Sequence, residues 1–538
     1  MIETPRDQGP IKVSDISIAQ LSRGLYRSNA AAFKELVTNS WDADAGEVRI
    51  DTNFPEFDFI ACVDDGPGMR LDQFRNYFAE KGIGFCYKRK GGKTVTDKHR
   101  RPIIGRLGIG MLAMGQLCHS FDIESHYVDE DGTGKAYRAT ITLVDQDVQD
   151  VDEILSLDRT DQAEDIDVGK WSYEVIPFDE SRTGFRLYSS DVRQTFMQEM
   201  KRSVVDGGPK DVPNNLDALH SSFFRNLDKS VRECRPYLET IWELCVLCPL
   251  PYCHAEGSPI DRELFEGDEG QKATELINRR QAELEGYRFK VVFDGIELKR
   301  HIEFPTKAGA SSRVFYLSHD GAVAGKNLKY EGYIFAQTQA IRPLELNGVQ
   351  IRLRGVGIGG YDSTFLHYYK QIETIRSRWV SGEIFVDRGL EVALNIDRDS
   401  FNEHDEHYKE LQTRLHEKLD SVFKTIEGIA QRQRESARSR KSGQLKDRLK
   451  SVISNRLEGR FALLEQDLGA DAPLVSVDDS KKRIILNTSL RRLRKKKANT
   501  ILSHVALAYE VSKKISSNER EQSRQFEEIL VDILDVLV

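Results

Sequence analysis

Residues 29–43 read NAAAFKELVTNSWDA and residues 60–69 read IACVDDGPGM, and these two stretches decide the fold. Ala32, Phe33, Leu36 and Val37 recur at helical spacing inside a longer periodic run, Ile16 to Ala45, so the first stretch is expected to be helical. Glu35 and Asn39, four residues apart, then lie one above the other on a single helix face. The second stretch closes a β-rich run, expected as a strand over Phe57 to Val63, that leads straight into Asp64-Asp65-Gly66-Pro67-Gly68. A carboxylate beside a carboxamide can polarise water and offer a hard oxygen to Mg²⁺. An aspartate at a strand end can accept a hydrogen bond from an exocyclic amine, and neighbouring glycines let a flat ligand approach the backbone. Taken singly, an E-x-x-x-N pair is more often a solvated helix face, and D-D-G more often a turn.

Downstream, Gly105-Arg106-Leu107-Gly108-Ile109-Gly110 opens an apolar segment ending at His119, a loop-to-helix junction whose free N–H groups suit a phosphate. Lys81 to Arg101, glycine- and lysine-rich, is too polar for a core and long for an ordinary loop, and is expected to be a mobile lid. Strands are expected at Glu47–Asp51, Phe121–Ser125, Tyr137–Val144 and Phe185–Tyr188, and a helix over Leu71–Ala79. Another helix is expected over Phe223–Leu247, ending at Pro249 and Pro251. Polar residues 254–285 mark a boundary. Five short β-rich runs between Tyr287 and Asn395, beginning with FKVVF, predict a second, α+β domain. Residues 403–467 have helical period, Leu474–Leu486 reads as a hairpin, and 498–538 as further helix.

In order and spacing, the three motifs resemble the ATP site of the GHKL superfamily, with chaperone-like and MORC-like members the nearest in pattern. The resemblance implies a Bergerat-type α/β sandwich ATPase domain over 1–255, a transducer-like α+β middle domain over 285–402 and a mainly helical C-terminal region over 403–538. It implies Glu35 as the base that activates water, Asn39 as the Mg²⁺ ligand and Asp64 as the reader of the adenine amine. Asp42, Gly66, Gly68, Met69, Gly105, Leu107, Gly108, Ile109 and Gly110 complete the nucleotide site. Ile83-Gly84-Phe85-Cys86-Tyr87-Lys88-Arg89 is similar to the lid element I-G-x-S-x-K, which places Lys88 near the phosphates, although Cys86 and Tyr87 depart from the usual small residues. Thr183 stands in the family's G-T-x-I-x-L strand, with Arg182 where a glycine is expected. Leu394-Asn395-Ile396-Asp397-Arg398 resembles an L-N-x-S-R-E element, which implies Arg398 as a cation delivered to the γ-phosphate from another domain.

At 538 residues, the chain exceeds what one core usually organises, and 39% hydrophobic with 30% charged residues fits a globular protein. No basic-then-apolar start and no run near the ~20 apolar residues of a membrane span place it in the cytoplasm. The net charge of −8 argues against nucleic-acid binding over the whole surface, yet Arg432 to Lys450 and the run Arg491 to Lys497 are basic and could touch phosphates, while 145–167 is acidic. Cys245, Cys248, Cys253 and His254 have spacing compatible with zinc, but their place after an apolar helix favours buried thiols. The combined expectation is a slow, conformationally coupled ATPase using ATP and Mg²⁺. It would act as a homodimer with an effector or client protein, without a membrane, in bacterial defence or DNA management. The alternative is a DNA-bound clamp that holds ATP as a structural switch.

Overall fold

The computed structural model describes residues 6–13, 28–80, 93–105, 110–143, 166–202, 213–224, 230–233, 235–261, 265–304, 310–369, 377–395, 399–456, 460–469, 472–473, 475–487 and 496–537. Contacts divide the chain into two compact units, Met1–Glu427 and Gly428–Val538.

The first unit opens with β1 (Arg6–Val13), which the sequence reading did not mark. Helix α1 (Asn29–Asp42) is capped by Ser28, whose Oγ accepts from the Ala31 amide at 3.3 Å. Of its residues, all but Asn39 are buried, as expected of a helix without a solvent face. The upstream part of the expected helix, 16–27, lies outside the described residues. β2 (Glu47–Asp51) and β3 (Ile60–Asp64) follow. α2 (Leu71–Arg75) continues as a π-turn over Asn76–Glu80. A 3₁₀ turn at Gly110–Ala113 leads into the short α3 (Met114–Leu117), then β4 (Cys118–Val128), β5 (Gly134–Leu143), β6 (Ile166–Ile176) and β7 (Gly184–Val192). The expected helix 223–247 is two: α5 (Leu216–Phe224), which follows α4 (Gln194–Lys201), and α6 (Pro236–Leu247). Proline at the first position of α6 starts a helix, since its missing N–H needs no partner there.

The polar stretch 254–285, expected to be a boundary, carries helix α7 (Gly267–Gly286). The FKVVF run is not the start of a second sheet. β8 (Lys290–Phe293) pairs in parallel with β2 and, with β9 (Ile296–Glu297), completes a nine-stranded sheet in the order β1-β6-β5-β4-β7-β3-β2-β8-β9. A second sheet, β10-β11-β14-β12-β13, is built from Ser312–Val323 (β10), Lys326–Gln337 (β11), Gly348–Leu353 (β12), Val356–Asp362 (β13) and Val380–Arg388 (β14). One hydrophobic core runs from Ala32 through Val291 to Phe385, so apolar packing continues across the expected boundary. Within the second sheet, Glu383 is fully buried between Arg352 and Arg300 and accepts from the hydroxyls of Tyr252 and Tyr333.

The expected lid is also revised. Residues 81–92 lie outside the described residues, but 93–101 are anchored. Asp44 accepts from Thr96 Oγ1 (2.6 Å) and from the amides of Lys98 (2.7 Å) and His99 (3.1 Å). Against the upward push of burial, these bonds and Arg101 hold Asp44 below the usual carboxylate range. Arg101 is fully buried, its guanidinium about 5 Å from the rings of Trp41 and Phe289, and it donates to the carbonyls of Ala45 (2.5 Å) and Tyr287 (2.7 Å). Burial lowers it to about 10, so it stays charged at neutral pH.

The division between the units falls inside α8 (Glu406–Arg456) rather than at residue 403. Leu411, Leu415 and Leu419, at helical spacing, are buried, and Gln412 donates to the Leu366 carbonyl at 2.7 Å, which ties this end of the helix to the first unit. The second unit holds the expected hairpin, β16 (Val475–Asp478) antiparallel to β17 (Arg483–Asn487), extended by a parallel β15 (Ala462–Gln466) into a three-stranded sheet, β15-β17-β16, with α9 (Lys496–Ile515) and α10 (Glu519–Leu537). Its small core joins Ile484, Leu507, Ala508, Val511 and Ile529. Among the described residues, no helix is long and apolar enough to cross a membrane.

Candidate nucleotide site

Helix α1 and strand β3 bring the two decisive stretches together. Ser40, one residue beyond Asn39, donates from Oγ to Asp64 Oδ2 at 2.8 Å, and the Gly66 amide donates to Asp64 Oδ1 at 3.0 Å. Asp64 is only 6% exposed, so these bonds fix its carboxylate at the strand end while satisfying part of a buried charge. Ser40 was not singled out from sequence; its signal was its place directly after the asparagine. Asp65, by contrast, turns away and accepts from the amides of Gly46 (2.5 Å) and Glu47 (2.8 Å).

The glycines are where close approach demands them. A Cβ on Gly66 would come within 2.9 Å of Asp64 Oδ1. Gly68 has φ +77°, and a Cβ there would sit 2.7 Å from the His126 carbonyl. The turn is pinned by Ser125, whose hydroxyl accepts from the Met69 amide (2.8 Å) and donates to the Met69 carbonyl (2.9 Å); the Met69 side chain packs on the core.

Gly110 stands against the helix face that carries the other pair. A Cβ on it would lie 2.8 Å from Glu35 Oε2 and 3.1 Å from Asn39 Nδ2, so the end of the glycine-rich loop, Glu35 and Asn39 converge on one point. Asp42 has a different part: its two carboxylate oxygens accept from the amides of Ile104 (2.8 Å) and Gly105 (2.6 Å). It therefore positions the start of the loop. Thr183 is exposed and precedes β7 by one residue; β7 pairs Phe185 with Asp64, which leaves Thr183 just beyond the strand end bearing that aspartate. Lys88, Leu107, Gly108, Ile109 and Arg398 lie outside the described residues.

The second sheet reaches this site. Lys34, the neighbour of Glu35 and only 3% exposed, donates to Asp399 Oδ1 at 2.5 Å, which sets the residue after Arg398 against α1. Arg354, at the β12–β13 turn, donates to the Ile103 carbonyl at 2.5 Å and pairs with Glu391 at 3.3 Å. Lys34, Glu35, Thr38, Ile104, Arg354 and Leu394 line one pocket. Neither Lys34 nor Arg354 carried a motif, so sequence alone did not mark them. The favoured reading of the cysteine cluster holds: Cys245, Cys248 and Cys253 are buried thiols, and His254 is exposed near Glu285, so the four do not assemble into the alternative zinc set.

A helix face with carboxylate and carboxamide, a buried strand-end aspartate and glycines at both points of approach can hold a purine nucleotide beside a water. Residues 26–169 match the model of the histidine kinase-, DNA gyrase B-, and HSP90-like ATPase family. These residues are thus a GHKL-type ATPase domain, within a multidomain chain of mixed α/β content. A protein of Herpetosiphon aurantiacus named "Putative type II restriction enzyme HgiDII" is 32% identical over 109 residues, which cover 20% of this chain and 16% of that protein.

Proposed function

We propose that this chain is a slow ATPase that works as a conformational switch. The observation that carries the reading is the convergence of Glu35 and Asn39 on Gly110, together with Asp64 held by Ser40 and Gly66. The adenine amine donates to Asp64, with Gly66 and Gly68 leaving room for the ring. Hard oxygen is available from Asn39, which would hold Mg²⁺; the ion offsets phosphate charge when bound. Glu35 takes a proton from water as the water oxygen bonds to the γ-phosphorus and the bond to the β,γ-bridging oxygen breaks, giving ADP and phosphate. The contacts of Asp399 and Arg354 support coupling of this chemistry to the second sheet, with Arg398 reaching the γ-phosphate from that side. By the family resemblance, Lys88 would stand near the phosphates. ATP ordering of the lid and dimer closure are the output, with the C-terminal region meeting an effector or client protein in the cytoplasm.

The name of the Herpetosiphon protein favours a setting in bacterial defence or DNA management. It also supports a second reading, a DNA-bound clamp in which turnover is incidental. A gel shift with and without a non-hydrolysable ATP analogue separates the two: nucleotide-dependent retention of DNA supports the clamp. The primary reading is tested by calorimetry with ATP on the full chain and on Asp64→Asn. Loss of binding in the variant is expected, since an amide can present the wrong polarity to the amine; unchanged affinity would overturn it.

A further inference from the structure

We infer that Cys253, His220 and His301 form a zinc site, remote in function from the nucleotide pocket. Their ligand atoms all lie within 4.8 Å of one another. His220 sits on α5, Cys253 on the segment leaving α6, and His301 four residues after β9. The backbone sets this meeting: Tyr252 bridges Arg300 in parallel and the Cys253 amide donates to the Arg300 carbonyl at 2.9 Å, so Cys253 and His301 lie side by side. Cys253 is 3% exposed and His301 is fully buried, with Phe223 and Phe224 against the two imidazoles.

Two observations point to a cation rather than to packing alone. The Nδ1 atoms of His220 and His301 are 3.0 Å apart and aimed at each other. Without a metal, one proton lies between the two Nδ1 atoms; a metal would take both lone pairs. The far nitrogen of His220, Nε2, lies 3.1 Å from Glu303 Oε2, which is the carboxylate–histidine arrangement that fixes the tautomer and raises ligand basicity in metal sites.

The donor set, two imidazole nitrogens and one thiolate, suits Zn²⁺ and excludes the oxygen-seeking Mg²⁺ and Ca²⁺. Zinc–nitrogen and zinc–sulfur bonds of about 2.0–2.3 Å in a tetrahedron put ligand atoms roughly 3.3–3.6 Å apart, so the cluster needs to contract by about 1 Å at its widest. Binding displaces the Cys253 thiol proton to solvent and leaves a fourth position for water. Such a site would pin α5 to the exit of α6 and to the segment that leads from the first sheet to the second.

The test uses the full chain without a polyhistidine tag, stripped with a chelator and titrated with Zn²⁺ or Co²⁺. One metal per chain is expected, with a thiolate-to-cobalt charge-transfer band. Cys253→Ser, close in volume, loses the band; Glu303→Gln keeps it but binds some 10- to 100-fold more weakly. Cys245→Ser and Cys248→Ser leave it unchanged. The assignment falls if the wild-type chain takes up no stoichiometric metal, or if Cys253→Ser and His220→Ala, folded by circular dichroism, bind cobalt with the wild-type affinity and spectrum.

Discussion

Placing a methyl group on Gly110 isolates geometry from chemistry. In Gly110→Ala the new Cβ would meet Glu35 Oε2 at 2.8 Å and Asn39 Nδ2 at 3.1 Å. Ordinary contact begins near 3.4 Å, so the carboxylate oxygen has to retreat by about 0.6 Å. It is the tip of a flexible side chain, and Gly110 is part of a 3₁₀ turn whose backbone an alanine can adopt, so the fold should lose less than about 1 kcal/mol. The reaction is less forgiving, because a misplacement of 1 Å can cost about 100-fold in rate. A displacement of this size should therefore lower turnover by roughly 10- to 100-fold, or about 1.4–2.7 kcal/mol of barrier. Phosphate release at saturating Mg²⁺-ATP measures it, with a thermal melt as the control for folding. Wild-type turnover in a folded Gly110→Ala protein would refute the claim that this glycine, Glu35 and Asn39 share a reaction centre.

Further outcomes follow from the neighbouring contacts. Asp42→Ala should release the amides of Ile104 and Gly105 and weaken ATP binding, measured by calorimetry; unchanged affinity would show that the loop holds its shape without them. Arg398→Ala should lower turnover by a large factor, with arginine fingers elsewhere worth about 10³–10⁵, while ATP affinity stays nearly constant; normal turnover would dismiss the transducer resemblance. For Glu383, burial alone would raise the carboxyl, but Arg352 and Arg300 and the tyrosine hydroxyls hold it down to about 2. A depressed carboxylate stabilises the fold above its unfolded value near 4.5 and loses that contribution as pH falls toward 2. Stability should therefore drop in that window, by an amount on the order of 3 kcal/mol, in acid titrations followed by denaturant melts. A flat profile between pH 4.5 and 2 would contradict it.

Much of the candidate site was legible because the chemistry proposed for it needs particular residues at short spacing. Glu35 and Asn39 are one helical turn apart, and Asp64, Gly66 and Gly68 follow an apolar strand, so periodicity and turn chemistry placed them on a helix face and a strand end, while the family resemblance in their order and spacing is what assigned them to one site. Contacts that join distant segments were not legible. Nothing local tells that Arg101, in a polar run, will be buried between Trp41 and Phe289, since its partners are carbonyls, which every residue has. FKVVF reads equally as the first strand of a new sheet or the edge of an old one, and only pairing with Glu47–Ile50 decides. His220 and His301 are 81 residues apart and neither has a ligand-spaced neighbour, whereas Cys245, Cys248 and His254 had the spacing without the geometry.

The central claim rests most directly on Glu35. ATP binding and phosphate release are to be measured side by side for the full chain and for Glu35→Ala in the presence of Mg²⁺. The variant is expected to bind ATP with nearly the wild-type affinity and to release no phosphate above background, because the substitution removes the base and no adenine contact. Phosphate release at the wild-type rate by Glu35→Ala would contradict the account.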